Sequence, residues 1–205
     1  KLDKNLDSVL ASSRNNIKYI SEIIDEIMAK PYKKAKLLDF KNPDKYIGPH
    51  IGCKKGYGTN EGIRANAASG GMVTSLLCNL LKHGDIDGAW VTKTDFVNGE
   101  LTYKTYVATT EEEIRDASSS VYMTIPLLKY IDVIKNFNGK VAVVMTPCML
   151  RGLDAILKKD DALREKVVLK LGLYCSGTHS PKATTLSMEK SGIPSEDATR
   201  LYYRR

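Results

Sequence analysis

The chain has 205 residues, the length of one globular domain that can bury a hydrophobic core. Hydrophobic residues make up 42% and charged residues 27%, which excludes a disordered tail, a collagen-like repeat and a disulfide-stabilised miniprotein. The 31 Lys and Arg residues exceed the 24 Asp and Glu residues, giving a net charge of +7 that favours anionic partners such as phosphate-bearing cofactors. The basic residues are dispersed without interleaved aromatic residues, so we expect no nucleic-acid partner.

The sequence also lacks the signals of a membrane or secreted protein. No run approaches the roughly 18 apolar residues of a membrane span, and no secretory signal is visible. The four cysteines lie 25, 70 and 27 residues apart, without a Cys-x-x-Cys pair or a disulfide framework. We therefore expect a cytoplasmic protein. The sequence opens without Met and stops without a helix-ending signal, which we interpret as a fragment of a longer chain.

The first predicted element is an amphipathic helix over residues 9–29, with isoleucines three and four residues apart and Pro31 after it. A linker follows. Ser69, Gly70 and Gly71 then open a second helix, which Gly84 ends. Strands are predicted over residues 88–93 and 101–107, joined as a hairpin at Asn98 and Gly99. A capping box at residues 110–113 predicts another short helix.

The second half alternates strands and helices. Strands are predicted over residues 140–145 and 167–174. Each precedes a helix that has Pro at its first position, after Thr146 and Ser180 respectively. This alternation requires a parallel crossover. The predicted fold class is therefore α/β, with a central mixed, partly parallel β-sheet flanked by helices and an N-terminal helical lead-in.

Cys148 and Cys175 each follow the end of a predicted strand in the second half. Because the carboxyl ends of parallel strands share one sheet edge, we expect the two cysteines to be near neighbours in space. Cys148 also lies in the first turn of its helix, where the dipole stabilises a thiolate, the form that iron and zinc bind. Either a metal role or a packing role explains the pair.

The other candidate metal ligands are weaker. His179 follows Cys175 at a Cys-x3-His spacing, which suits zinc, but we favour an ordinary loop histidine. Cys78 lies about 60° outside the apolar arc of its helix, and we interpret it as flanking the core. Cys53, in a loop rich in Gly and Lys, is compatible with either role.

Two small-residue loops are candidate phosphate sites. Residues 69–71 combine free N–H groups with a helix N-terminus, and Arg64 lies just upstream. A loop of three serines at residues 118–120, followed by Tyr122, is the second. In both places the alternative interpretation is a tight turn without a ligand.

Together these segments resemble the coenzyme F420 hydrogenase/dehydrogenase beta-subunit family, over about residues 47–205. The resemblance lies in two signatures: Arg64-x4-Ser69-Gly70-Gly71 with the helix after it and residues 84–89, then Thr146-Pro147-Cys148 and Gly172-Leu173-Tyr174-Cys175-Ser176-Gly177. Residues 1–46 carry no part of it, and we interpret them as a helical extension and linker.

The resemblance implies an oxidoreductase subunit that binds FAD and a 4Fe–4S cluster. Such proteins transfer hydride between coenzyme F420, a deazaflavin, and FAD, and pass electrons to a partner subunit of hydrogenase or dehydrogenase type. Carried over by motif, Cys148 and Cys175 become cluster ligands. The flavin-side candidates are Arg64, Ser69, Gly70, Gly71, Ser119, Ser120 and Tyr122.

The sequence departs from the family pattern in two ways. Val121 stands where the family's Gly-Ser-Lys-Tyr element has lysine, so a charge contact to the cofactor is absent at that position. Additional cluster cysteines that many members carry are missing from these residues, through truncation or through loss of the cluster. The alternative functions are a non-redox nucleotide-binding enzyme and a cofactor-free scaffold subunit on the same fold.

Overall fold

In a computed structural model of the chain, the structure describes residues 52–194 and 198. The predicted helix over residues 9–29 and its linker lie outside the described residues. Within residues 52–194 and 198, no helix combines the length and the apolar character that crossing a membrane requires.

The described elements are four strands separated or flanked by one to three helical segments, apart from the hairpin of the first two strands. In order they are α1 (Glu61–Ala65), α2 (Met72–His83), β1 (Gly88–Val97), β2 (Glu100–Ala108), α3 (Glu111–Asp116), a 3-10 turn (Leu127–Tyr130), α4 (Asp132–Lys135), β3 (Val141–Met145), α5 (Pro147–Leu157), α6 (Asp161–Lys166), β4 (Val167–Gly172) and α7 (Pro181–Lys190). The predicted hairpin strands, β3, and the helices α2, α3, α5 and α7 are confirmed.

The strands form one sheet in the order β2-β1-β3-β4. β1 and β2 pair antiparallel around Asn98 and Gly99, whose φ values of 52° and 76° give the left-handed two-residue turn that suits a twisted hairpin. β1, β3 and β4 run parallel. The mixed, partly parallel α/β sheet predicted from the sequence is therefore confirmed.

Alternating side chains divide the core between the two faces of this sheet. Ala89 and Val91 of β1 pack on one face with Leu77 of α2 and Ile114 of α3. Trp90 points to the other face, where the buried residues include Val143 of β3, Leu153 of α5, Leu163 of α6 and Ile134 of α4. The central strands β1 and β3 thus have buried residues on both faces of the sheet, which leaves the ends of the parallel strands as the place for a site.

The local structure differs from the prediction in one strand end and two short helices. β4 ends at Gly172, not at residue 174, and Tyr174 is fully exposed. The short helices α1 and α6 were not predicted, because each has one buried side chain and so no apolar period. They form because Asn60 and Asp160 accept hydrogen bonds from first-turn N–H groups at 3.0 Å.

Cys78 was expected to flank the core, and this was wrong. Cys78 is only 5% exposed and belongs to the core cluster with Leu77 and Ile114. The flank of α2 that carries Cys78 is covered because α3 packs against α2. A helical projection of α2 alone contains no information about this second helix.

Candidate functional site

The two exposed cysteines at the carboxyl ends of β3 and β4 lie on segments that leave the sheet side by side. Cys148 follows β3 by three residues, and Cys175 follows β4 by three. The N–H of Leu173 donates to the carbonyl of Met145 at 2.9 Å, which joins the two exits. The shared edge predicted from the sequence is therefore present. We call the two segments, residues 146–148 and 173–179, the cysteine edge.

Local hydrogen bonds orient both thiols. The side chain of the N-cap residue Thr146 accepts no capping bond from the backbone N–H groups of its helix; instead its Oγ1 lies 3.2 Å from Sγ of Cys148. Sγ of Cys175 donates to the carbonyl of Gly177 at 3.7 Å. Both cysteines are free and exposed. Thiolates are the ligands of iron–sulfur clusters, which require four of them, so this pair would supply half of such a ligand set.

Other titratable groups do not complete that set within the described part of the chain. Within residues 52–194 and 198, no group of three or more His, Cys, Asp or Glu side chains is placed to hold a metal ion. Burial, aided by the nearby Glu111, raises the pKa of the Cys78 thiol, which disfavours the thiolate that a metal would need. Cys53 is exposed.

The first turn of α2, which follows the glycine segment, borders a cavity of about 300 Å³ through Thr74. Gly71 is the N-cap, with φ 70°, and the first backbone bond of the helix runs from the N–H of Ser75 to its carbonyl at 2.9 Å. The N–H groups of residues 72–74 therefore have no partner within the helix. We call this cavity the glycine cleft; its lining residues are Gly62, Ile63, Asn66, Thr74, Arg115, Asp116 and Ser118.

The loop at residues 56–58 packs against the glycine segment from behind. The N–H of Gly58 donates to the carbonyl of Gly70 at 2.7 Å, and a Cβ on Gly70 would lie 3.0 Å from Cβ of Tyr57. Arg64 donates from Nη1 to the carbonyl of Gly58 at 2.9 Å, and its guanidinium lies 5.2 Å from the ring centroid of Tyr57. Arg64 thus holds this loop in place. Its predicted contact with a cofactor, like that of the exposed Ser69, stays a prediction.

The second small-residue loop lies beside the same cleft. Oγ of Ser118 donates to the carbonyl of Asn66 at 3.3 Å. Ser119 has φ 97°, a region that favours glycine, and its Oγ is buried without a partner. Ser120 and Tyr122 are half-buried. Through Ser118, the structure therefore places the serine loop beside α1 and the first turn of α2, the two elements that flank the glycine segment. The cofactor contacts of both loops stay predictions.

The chain after this loop continues directly to the cysteine edge. Met123 forms a parallel β-bridge with His179, and the hydroxyls of Thr124 and Thr178 are 3.1 Å apart. We call residues 117–125 the strap, because one end lies at the glycine cleft and the other at the cysteine edge. The partners on the strap and the cysteine edge are more than 50 residues apart, so no local pattern could identify them.

Two charged residues, one in the cleft and one in the small cavity beside it, were also missed from the sequence. Arg115 lines the glycine cleft and pairs with Glu111 at 3.0 Å. Lys93, on β1, pairs with Asp116 at 2.8 Å and lines a small cavity beside Val121. A lysine thus lies next to the position where the resemblance expects one, but on a different element. The capping box predicts α3 without indicating which of its residues face the cleft.

Comparisons with known proteins bear on this arrangement. Residues 53–132 match the N-terminal part of the family described as coenzyme F420 hydrogenase/dehydrogenase, beta subunit, and residues 138–205 match the C-terminal part of the same family. An uncharacterized protein of Methanocaldococcus jannaschii is 33% identical over 135 residues, covering 62% of this chain and 37% of its own length.

A solved structure is also similar. It is a chain of the F420-reducing NiFe hydrogenase complex from Methanosarcina barkeri, studied by xenon derivatization, with 27% identity and a TM-score of 0.57. The match covers 65% of this chain and 47% of that one, so the chain spans less than half the length of these relatives. Both halves of the family pattern occur in order on one sheet, and the chain belongs to the coenzyme F420 hydrogenase/dehydrogenase beta-subunit family.

Proposed function

We propose that this chain belongs to a flavin- and iron–sulfur-dependent redox subunit. In this proposal the subunit transfers hydride between coenzyme F420 and FAD and passes electrons to a partner subunit of hydrogenase or dehydrogenase type. The family description names coenzyme F420, and the similar structure is a chain of an F420-reducing hydrogenase complex. Residues 47–205 form the redox domain in this proposal.

The observation that carries the proposal is that the glycine cleft and the cysteine edge lie along one strap. The Ser118–Asn66 bond fixes one end of the strap at the cleft, and the Thr124–Thr178 pair fixes the other at the cysteine edge. A flavin-to-cluster redox protein needs its two cofactor sites close together. This geometry supports such an arrangement, whereas a simple nucleotide-binding enzyme does not require it.

At the glycine cleft, the chain's own residues would bind and orient FAD. Free N–H groups at the start of α2 favour an anion, so we assign them to the cofactor's phosphate. A cavity of about 300 Å³ is at the small end of ligand pockets and suits part of a dinucleotide. Ser118 adds a hydroxyl to the cleft wall, while the unpartnered Oγ of the next residue, Ser119, belongs to the small cavity beside Lys93.

At the cysteine edge, Cys148 and Cys175 would hold the cluster together with thiolates from outside the described residues. FAD supplies two-electron hydride chemistry, and a 4Fe–4S cluster carries single electrons. The exposure of both thiols leaves them accessible for cluster assembly. Thr146 would orient the thiol of Cys148 through the 3.2 Å contact.

An anaerobic absorption spectrum of the full chain, with flavin, iron and sulfide quantified, tests this function. We expect a yellow-brown protein that contains FAD and iron. A colourless protein without flavin or iron contradicts the proposal and favours a nucleotide-binding enzyme or a scaffold subunit.

Matched variants separate the two sites. We expect Cys148→Ser and Cys175→Ser to lower iron content and electron transfer to the partner while FAD stays bound. Gly70→Val should abolish FAD retention, since its side chain would displace the loop at Tyr57, whereas Gly52→Val projects into open space and serves as the control. Unaltered iron content and partner reduction in a Cys148→Ser, Cys175→Ser double variant would contradict the ligand assignment.

A further inference from the structure

The cysteine-bearing loop after β4 has few contacts with the body of the protein. Every residue from 172 to 183 is exposed, including Cys175. Exposed loops of this kind rearrange easily, because little buried area opposes their conformational entropy. A cluster ligand on such a loop needs a separate device that fixes its position.

The structure contains two adjacent contacts that can do this. The Met123–His179 bridge fixes the backbone of the loop against the strap, and the hydroxyls of Thr124 and Thr178 meet at 3.1 Å beside it. His179 and Thr178 follow Cys175 by four and three residues. We call this pair of contacts the threonine clamp.

The other end of the strap is tied to the glycine cleft. Ser118 lines the cleft and bonds to Asn66 across it, and the next residue, Ser119, is in a strained conformation with a buried, unpartnered hydroxyl. A ligand that contacts this end restricts the strap, and a backbone segment of fewer than ten residues transmits that restriction to the clamp.

We propose that the threonine clamp positions the Cys175 loop, and that it couples FAD binding at the glycine cleft to the ordering of that loop. Thr124 and Thr178 are positioning residues in this scheme, since they act through Cys175. The inference rests on the proposed function, because it takes FAD as the ligand of the cleft. Coupling between sites is a free energy that both ligands share, so cluster assembly in turn strengthens FAD binding.

Hydrogen exchange of the full chain, with and without added FAD, tests the coupling. We expect FAD to slow backbone exchange in residues 117–122 and, about fivefold, in residues 175–180. Thr178→Val removes the hydroxyl but keeps the shape of the side chain. In this variant, FAD should slow exchange only in residues 117–122. Thr178→Ser restores the hydroxyl and should restore protection of the loop, a rescue that general destabilisation would not produce.

Thr102→Val is the matched control. Its Oγ1 also makes one exposed hydrogen bond, to the carbonyl of Asp95 at 3.2 Å in the hairpin, and its loss should leave the FAD response unchanged. Equal protection of residues 175–180 in Thr178→Val, or no protection in the unaltered chain despite bound FAD, overturns the coupling alone. Absence of FAD binding by equilibrium dialysis overturns both the coupling and the proposed function.

Discussion

The strap connects the glycine cleft to the cysteine edge, but the two regions differ in how they are built. The cleft is framed by packed elements: Thr74 and Ile63 on its wall are buried, and the loop behind Gly70 is fixed by Arg64 and Tyr57. At the cysteine edge, by contrast, both thiols are exposed to solvent. One region is thus organised by the described chain itself, whereas the other presents its groups outward.

This difference suggests that the two regions obtain their geometry from different sources. A ligand that enters the cleft meets groups already held in place, which lowers the ordering cost of binding. At the cysteine edge, metal binding itself would supply much of the organising free energy, as structural metal sites commonly do. We therefore expect substitutions to affect folding at the cleft and assembly at the edge.

The largest effect on stability is expected at Gly58, behind the cleft. A Cβ there would overlap Oγ of Ser75, which is buried and has no partner. Gly58→Ala should therefore lower the free energy of unfolding by about 2–3 kcal/mol, measured by urea denaturation. Gly52→Ala, with no atom within 4 Å of its new Cβ, should change nothing.

A second substitution tests whether overlap with Ser75 causes the loss of stability in Gly58→Ala. Ser75→Ala removes the overlapping oxygen and a buried unpartnered hydroxyl, so alone it should be neutral or slightly stabilising. Combined with Gly58→Ala it should restore most of the lost stability, a strong non-additivity expected for groups in contact. Simple addition of the two effects would show that the overlap is not the cause.

The cysteines provide the next comparison. Cys78→Ser should cost about 1–2 kcal/mol, because it places a hydroxyl in the core cluster where Cys78 is 5% exposed. Cys148→Ser and Cys175→Ser, both at exposed positions, should each stay within about 0.5 kcal/mol in cluster-free protein. A cost at Cys148 or Cys175 as large as that at Cys78 would show that the edge is also part of the folding core.

A smaller change, in the stabilising direction, is expected at the strap. Ser119→Gly relieves the strain at φ 97° and removes a buried unpartnered hydroxyl, for a gain of about 1 kcal/mol in the free energy of unfolding. Ser120→Gly is the comparison at the next residue, which has no positive φ; it adds backbone freedom and removes the contacts of the serine side chain, so it should be destabilising. Thermal unfolding that ranks the two variants in the opposite order would show that strain at Ser119 is not the cause.

The sequence predicts those helices and turns whose ends are marked by signals within a few residues. The hairpin follows from Asn98 and Gly99, α2 is bounded by Gly71 and Gly84, and the capping box begins α3. Each of these signals acts over a few residues, so a periodicity or turn rule detects it.

Features that depend on distant partners were not accessible in this way. The burial of Cys78 requires α3, and the bridge between Met123 and His179 joins segments 56 residues apart. The shared edge of Cys148 and Cys175 was an exception, because parallel topology alone determines it. No topological rule of this kind predicts that Lys93 lies beside Val121, because Lys93 belongs to β1, a distant part of the chain.

The smallest effect concerns pH and the start of α3, the helix that carries Arg115 to the cleft. The N–H of Thr109 donates to Oε2 of Glu113 at 2.7 Å and, with a weaker bond from Thr110, lowers the pKa of this carboxyl below its ordinary value of 4.5. A carboxyl whose pKa is lower in the folded state stabilises the protein above its unfolded pKa, and this stabilisation is lost as the pH falls through the folded pKa.

Glu113→Ala should therefore reduce stability at pH 7 by less than about 1 kcal/mol, because the group is exposed. The difference from the unaltered chain should shrink as the pH falls below the ordinary value, which thermal unfolding from pH 7 to 3 measures. Thr146→Ala provides the comparison at the cysteine edge, since the side chain of this N-cap accepts no capping bond from the backbone of its helix and should show no such pH dependence. A constant difference between Glu113→Ala and the unaltered chain over this range would mean that the charged carboxylate contributes nothing to the cap.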